Sequence, residues 1–364
     1  MLTDTPGLHH VTTITGPPQP TLDFYLETLG LTLCCRTVNF EDILVHHLYF
    51  GDPSATPGAI LTCFPYGDVD PGRLGAPQPT AVAFTVPPES ISSWRRRLEG
   101  RGHEVAEKSR FDERVLSITD PDGTPIELVE RSPPISRPSP IEAREDGPVP
   151  PSVGIRGLEG VTLTPVDPYA TAATLETLGL ERVGQEGDRI RYRASGTHAR
   201  VIDVLDRSLP YGREGPGTIH HVAVRAASVD ELYEWHGLFR ERGYDTSRVK
   251  DRHFYHSLYV RGPGGVLFEL ATDSPGFDVA DSSSDALYLP PRFEADRELI
   301  ESQLPPVTIP GGDGRDEGTL RADETDEVVA GETGESGAND TDEAVTDETD
   351  EAVTDETDDQ VDRP

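Results

Sequence analysis

A His-His-Val step occurs twice in the chain, as "GLHHVTTI" at residues 7–14 and as "GTIHHVAV" at residues 217–224. Each copy lies in an alternating apolar run, the pattern of a half-buried β-strand whose successive side chains face opposite ways. A lone inward-facing imidazole is usually a hydrogen-bonded core group. Two in matching positions point to one shared ion. Beyond the second copy, the apolar run "GGVLFELA" at 264–271 adds a carboxylate, Glu269. His10, His221 and Glu269 together supply two imidazoles and one carboxylate, the facial donor set that leaves open positions on non-haem Fe(II).

These residues must be brought together by the elements around them, and the chain is repetitive. "LETLGL" stands at 26–31 and again at 175–180, with Gly30 and Gly179 placed to stop a helix. "SSWRRRLEGRGHEV" at 92–105 parallels "YEWHGLFRERGYDT" at 233–246, aligning Trp94 with Trp235. The first 310 residues therefore read as four modules, near 7–67, 77–131, 155–206 and 217–272. Each runs strand, helix, then three strands. In the fourth, Ser228 and Glu231 form a capping box ahead of the helix.

A single βαβββ module leaves one sheet face bare, so modules must pair. The expected fold is α+β, with four βαβββ modules paired into two cup-shaped sheets whose concave faces can hold a ligand. By sequence order the chain divides into modules one and two at 1–135, a Pro-rich linker at 136–154, modules three and four at 155–305, and a tail at 311–364. Superposing the modules aligns His10 and His221 on the first strand with Gly160 of module three and with Thr80 or Val82 of module two. On the last strand Glu269 aligns with Glu127, Asp203 and, in module one, Cys63.

Composition limits the partners. The net charge is −34, with 66 acidic against 32 basic residues, which excludes nucleic acid and anionic membrane. Only Lys108 and Lys250 are lysines, and an acidic, lysine-poor surface suits a salt-rich, halophilic cytoplasm. Cys34, Cys35 and Cys63 form no CxxC pair or disulfide framework, in keeping with a reducing compartment. Neither a signal peptide nor a membrane-length apolar run is seen, so a cytoplasmic protein is expected. Residues 311–364 carry 21 acidic and 3 basic side chains and no aromatic, a composition that stays disordered.

The stretches "GLHHVTTITG", "VHHLYFGD", "TPGAILTCFP", "GTIHHVAV" and above all "DRHFYHSLYVRGPGGVLFELATDSPGF" at 251–277 resemble the vicinal oxygen chelate superfamily. This is the glyoxalase, bleomycin-resistance and extradiol-dioxygenase group. Within it the resemblance is to hydroquinone-type ring-cleaving dioxygenases, over roughly residues 5–305. It implies an oxidoreductase that uses Fe(II), or Mn(II) on the same ligands, to insert both atoms of O2 into a hydroquinone, substituted or halogenated, or into a catechol. The partners are then a small aromatic diol and O2, with homo-oligomerisation left open. The resemblance also implies His220 and Tyr259 as catalytic groups and His9, Thr12 and Arg252 as substrate-binding groups around the metal.

Alternatives compete with this reading. A glyoxalase-type isomerase or lyase uses four protein ligands, and a non-catalytic binding protein dispenses with them; Cys63 in the place of a carboxylate disfavours the first, and the complete triad disfavours the second. His46 and His47 read as structural, and His253 and His256 as groups that shape the site. Glu127 and Asp203 read as relics or hydrogen-bonded structural carboxylates, and Cys63 as a small buried group beside the metal.

Overall fold

The architecture follows the strand–helix–strand grammar of the four modules. A computed structural model describes residues 2–131, 141–277 and 286–310. Module one comprises β1 (Leu8–Thr15), a short helix α1 (Pro18–Leu22) that continues as a π-helical turn (Asp23–Thr28), β2 (Thr32–Asn39), β3 (Asp42–Gly51) and β4 (Ile60–Pro65). Module two repeats the order with β5 (Gln78–Val86), α2 (Ile91–Gly100), β6 (Ala106–Arg110), β7 (Glu113–Thr119) and β8 (Pro125–Glu130). Module three has β9 (Leu158–Thr164), α3 (Pro168–Thr177), β10 (Glu181–Glu186), β11 (Arg189–Arg193) and β12 (Val201–Leu205). Module four has β13 (Thr218–Ala226), α4 (Val229–Glu241), the short pieces β14 (Asp245–Thr246) and β15 (Lys250–Asp251), then β16 (Tyr255–Arg261) and β17 (Leu267–Pro275). A last helix, α5 (Arg297–Gln303), follows.

The helices obey local rules. In α4, Leu232, Trp235 and Phe239 recur at helical spacing and are buried. Burying each such side chain contributes about 1.5–3 kcal/mol. Ser228 caps this helix by accepting from the Glu231 amide at 3.1 Å. Glu231 accepts from the Ala227 amide at 2.6 Å and from the Thr3 amide at 2.6 Å, so only the Ser228 half of the capping box forms and the glutamate ties down the N-terminal strand entry. Gly30 and Gly179 end their helices at φ +72° and +87°, a conformation that a side chain would disfavour.

The strands form two sheets, in the orders β14-β16-β17-β13-β1-β4-β3-β2 and β10-β11-β12-β9-β5-β8-β7-β6. Within each module the first strand pairs in parallel with the last, and the modules meet through antiparallel pairing of their first strands, β1 with β13 and β5 with β9. Module one thus joins module four, and module two joins module three. Both sheets cross the boundary between 1–135 and 155–305, and the described residues lie in one compact unit. The division by sequence order therefore marks repeats and not separate sheets. Of the linker, residues 141–154 are described, with Ile141 and Val149 buried. The tail at 311–364 lies outside the described residues.

Alternation divides each first strand between two environments. Val11, Val82, Val161 and Val222 enter one continuous apolar cluster with Trp94, Trp235, Phe84 and Phe239. Their neighbours on the strands turn to the concave faces.

Candidate metal centre

Two register irregularities shape the first sheet. Between Leu8 and His10 the partner strand advances by one residue, and between Ile219 and His221 the opposite strand does the same against Thr12 and Thr13. These are β-bulges at His9 and His220, and a bulge re-aims the extra side chain. Consecutive imidazoles consequently meet: His9 Nδ1 lies 2.8 Å from His10 Nδ1, and His220 Nδ1 lies 2.7 Å from His221 Nδ1. Each bonded pair leaves Nε2 of the second histidine facing the cup.

The register then brings the donors into two adjacent rows. One row runs Tyr259, Glu269, Ala223, His10 across four strands, and the other runs Tyr49, Thr62, Thr12, His221. His221 Nε2 approaches Glu269 Oε2 at 2.7 Å, His10 Nε2 approaches it at 3.3 Å, and the two Nε2 atoms are 3.3 Å apart. All three residues are buried, and they form the one group of this kind found among the described residues.

The donor set fits a metal. Glu269 Oε2 faces the two imidazole nitrogens, and Oε1 is buried with no hydrogen-bond partner. An orphaned buried carboxylate is costly unless a cation completes it. Burial alone would raise the Glu269 carboxyl, but the facing His10 and His221 outweigh it and hold it well below the usual range. Burial lowers His221, keeping its lone pair free. Two Nε2 atoms backed by hydrogen-bonded Nδ1 atoms, plus one carboxylate, match a facial triad with open positions.

A cavity of about 290 Å³ opens beside the triad. That is the lower end of ligand pockets, roughly 300–1,000 Å³, and suits one aromatic ring. Thr12, His220, Tyr259 and Arg252 all line it. Arg252 donates to the Tyr259 hydroxyl at 3.1 Å and pairs with Glu41 at 3.0 Å. His9 is set back from the cavity. It touches His10 and lies against the Tyr255 ring, centroids 5.1 Å apart. Burial, then His10, pushes His9 down to about 3, and burial, then His221, pushes His220 down to about 4. Burial raises Tyr259 well above its usual value, so the phenol keeps its proton at neutral pH.

Other residues depart from expectation. His46 is structural, bonded to the Pro305 carbonyl at 2.9 Å, but His47 lines the cavity. Cys63 does not take the Glu269 position. Thr62 does, because β4 pairs Thr62 with Thr12 while β17 pairs Glu269 with Ala223, and Cys63 faces the apolar core on the other side. The module-two counterpart of His221 is likewise Ala81, between the residues Thr80 and Val82 offered by alignment. His253 bonds Tyr288, His256 accepts no role in the cavity lining, and neither lines it. Tyr49, Tyr255, Lys250 and Glu41 line the cavity without having been singled out. The likeness of "HHLYF" to "HSLYV" carried the signal for Tyr49, since both tyrosines sit opposite the carboxylate position.

The profile of the glyoxalase/bleomycin resistance protein/dioxygenase superfamily matches residues 7–128 and 166–270. The chain belongs to this superfamily. Within it the relatives are ring-cleaving dioxygenases, which are enzymes that act with O2. MhqO of Bacillus subtilis, provisionally named a ring-cleaving dioxygenase, is 38% identical over 313 residues, covering 85% of this chain and 99% of MhqO. The chlorohydroquinone/hydroquinone 1,2-dioxygenase of Sphingobium indicum is 33% identical over 326 residues, covering 83% of this chain and 97% of that one. A crystal structure of a provisionally named dioxygenase from Bacillus subtilis superposes with a TM-score of 0.80 at 37% identity, covering 84% of this chain and 99% of that one. The chain is thus a ring-cleaving dioxygenase by family, and its two-sheet fold is that of the family.

Proposed function

We propose that the protein binds one Fe(II) through His10 Nε2, His221 Nε2 and Glu269, and opens the ring of a hydroquinone with O2. Mn(II) suits the same donors. The observation that carries this reading is the convergence of three buried donors from modules one and four, with a carboxylate oxygen left unpartnered, beside a ring-sized cavity that His221 lines. When bound, Fe(II) supplies a redox-active Lewis acid with room for a phenolate oxygen and O2 together.

The chain's own side chains do the rest. His220 accepts the Nδ1–H of His221 on its own Nδ1, so its neutral ring turns an Nε2–H to the cavity, able to donate to a substrate oxygen. Tyr259 stays protonated and can donate to a substrate or O2-derived oxygen, with Arg252 behind it to offset negative charge. Thr12 offers a second hydroxyl beside His221, 3.0 Å from Nε2. His9 backs His10 and orients it.

A hydroquinone, plain, substituted or halogenated, is favoured over a catechol by the likeness to the chlorohydroquinone/hydroquinone enzyme. Thr62 in the fourth-ligand position weighs against a four-ligand isomerase. The test is anaerobic reconstitution with Fe(II) in high salt, followed by O2 uptake with hydroquinone and catechol side by side. Uptake with hydroquinone and a ring-opened product is expected. Uptake with catechol alone would overturn the substrate; bound metal without uptake from either would overturn ring cleavage.

A further inference from the structure

One wall of the cavity carries an unbroken line of hydrogen bonds that ends at the candidate centre. The Tyr49 hydroxyl is bonded to that of Tyr255 and lies 2.8 Å from His47 Nδ1. His47 Nε2 lies 2.9 Å from Thr62 Oγ1, which lies 2.8 Å from Thr12 Oγ1. Thr12 Oγ1 in turn lies 3.0 Å from His221 Nε2. Every member is buried, and Thr12, His47, Tyr49 and Tyr255 line the cavity.

Each bond can run in either direction, and the chemistry of the ends selects one. A phenol is a better proton donor than an aliphatic hydroxyl, and an imidazole nitrogen is a better acceptor than a phenol oxygen. Tyr49 therefore donates to Nδ1, which commits His47 to carry its proton on Nε2. Nε2–H donates to Thr62, and the Thr62 proton goes to Thr12. The Thr12 proton then has only His221 Nε2 to meet, and an Nε2 that ligates a metal has no lone pair left to accept it.

We infer that Tyr49, His47 and Thr62 are positioning residues that commit the Thr12 hydroxyl to donate into the cavity, toward an oxygen that shares the centre with His221. The inference rests on the metal-centred reading above and adds which hydroxyl is held as a donor and by what. The device is one-sided. In the mirrored row Glu269 replaces Thr62 and Ala223 replaces Thr12, so no equivalent donor exists there. A fixed donor favours an oxygen carrying negative charge over one that must itself donate.

Thr62→Val removes the hydroxyl at nearly constant shape, and Thr62→Ser keeps it. In the Fe(II)-reconstituted full chain, Thr62→Val should lower kcat for O2 uptake with an aromatic diol about 10–100-fold, the range for altering a partner behind a metal site. KM and bound iron should stay near wild type. Thr62→Ser should stay within about threefold of the wild-type kcat, since the donor chain survives. Undiminished kcat in Thr62→Val overturns the inference, and so does an equal loss in both variants, which marks packing alone. An independent readout is the ¹⁵N spectrum of histidine-labelled protein loaded with Zn(II) as a diamagnetic probe. His47 protonated on Nε2 is expected, and His47 protonated on Nδ1 overturns the inference. A wild type that binds Zn(II) but consumes no O2 with any diol removes the ring-cleavage reading, while the ¹⁵N result still decides the direction of the chain. A wild type that binds neither ion removes both.

Discussion

In the second sheet, Gly160 and Ala81 stand where the first has His10 and His221, while Glu127 and Asp203 stand where the first has Glu269 and Thr62. The frame is otherwise the same. Register shifts recur at Thr80 and Glu159, the counterparts of the bulged His220 and His9. What differs is what meets the carboxylates. Arg191, at the Tyr49 position, grips Asp203 through two bonds of 2.8 and 2.9 Å and reaches Glu113 at 2.6 Å. Arg189 joins Asp203 at 3.0 Å, and Arg110 pairs with Glu127 at 2.6 Å. Guanidiniums carry fixed charge and fill the volume, so this cup is closed chemistry. Imidazoles offer nitrogen lone pairs in place of a fixed charge, so the other cup sets two nitrogen donors against its carboxylate. The same architecture yields a salt-bridged strut or a candidate metal centre according to which nitrogen base faces the carboxylate.

The largest effect should come from breaking the first cup. His10→Ala removes the one donor supplied by module one and should lower activity on the order of 10³-fold or more, beyond the roughly 10–100-fold typical of outer partners. Metal analysis of the purified variant and O2 uptake check it together. A variant with full iron and full turnover would show that modules one and four do not share a site.

Breaking the second cup should cost stability and spare chemistry. Arg191 is 1% exposed, and Arg191→Ala leaves the buried Asp203 and the half-buried Glu113 without their main partner. Removing one member of such a pair costs about 3–5 kcal/mol, whereas replacing a whole pair by apolar groups is often close to neutral. Urea unfolding should show that loss in Arg191→Ala and a smaller one in a double Arg191→Met, Asp203→Leu variant. O2 uptake per folded molecule should stay at the wild-type level in both. A specific loss of turnover would mean that the two cups are coupled.

Converting the second cup into the first should fail for a steric reason. A Cβ built on Gly160 would lie 2.1 Å from the Val201 carbonyl oxygen, which is backbone and has no rotamer to yield. Gly160→His with Ala81→His should bind no second metal and lose about 1–3 kcal/mol from overpacking. Metal stoichiometry of two per chain would show that imidazoles alone distinguish the cups.

Much of this contrast was legible in the sequence. The paired "HHV" steps and "LETLGL" copies identify the modules, and alternation along "GGVLFELA" selects Glu269. Gly160 in place of a third histidine points away from the second cup. The arginine network was not legible, because Arg191 meets Glu113, and Arg110 meets Asp203, only across modules two and three. His47 escaped for a different reason. In "ILVHHLYF" two successive histidines face opposite sides, and only the pairing of Tyr49 with Thr62 says which side is the cup. The bulges behind His9 and His220 break strict alternation and leave no mark in composition.

Cys63 shows how sharply register decides function, and its variant should have the smallest effect. The likeness of "PGAILTC" to "PGGVLFE" puts Cys63 over Glu269, yet a one-residue shift in a strand exchanges its two faces. The pairing sets Thr62 in the cup and leaves Cys63 buried against Thr13, whose hydroxyl donates to its sulfur at 3.2 Å. Burial also raises the thiol well above its usual value, so no thiolate is on hand for a metal. Cys63→Ala should therefore cost about 1 kcal/mol of stability, as an ordinary buried substitution does. Bound iron and kcat should be those of the wild type, while the neighbouring Thr62→Val loses turnover. Were the two variants to exchange these outcomes, with Cys63→Ala losing metal and Thr62→Val remaining silent, the register of β4 against β1 would be off by one and the first cup would hold a thiol donor in place of the hydroxyl chain.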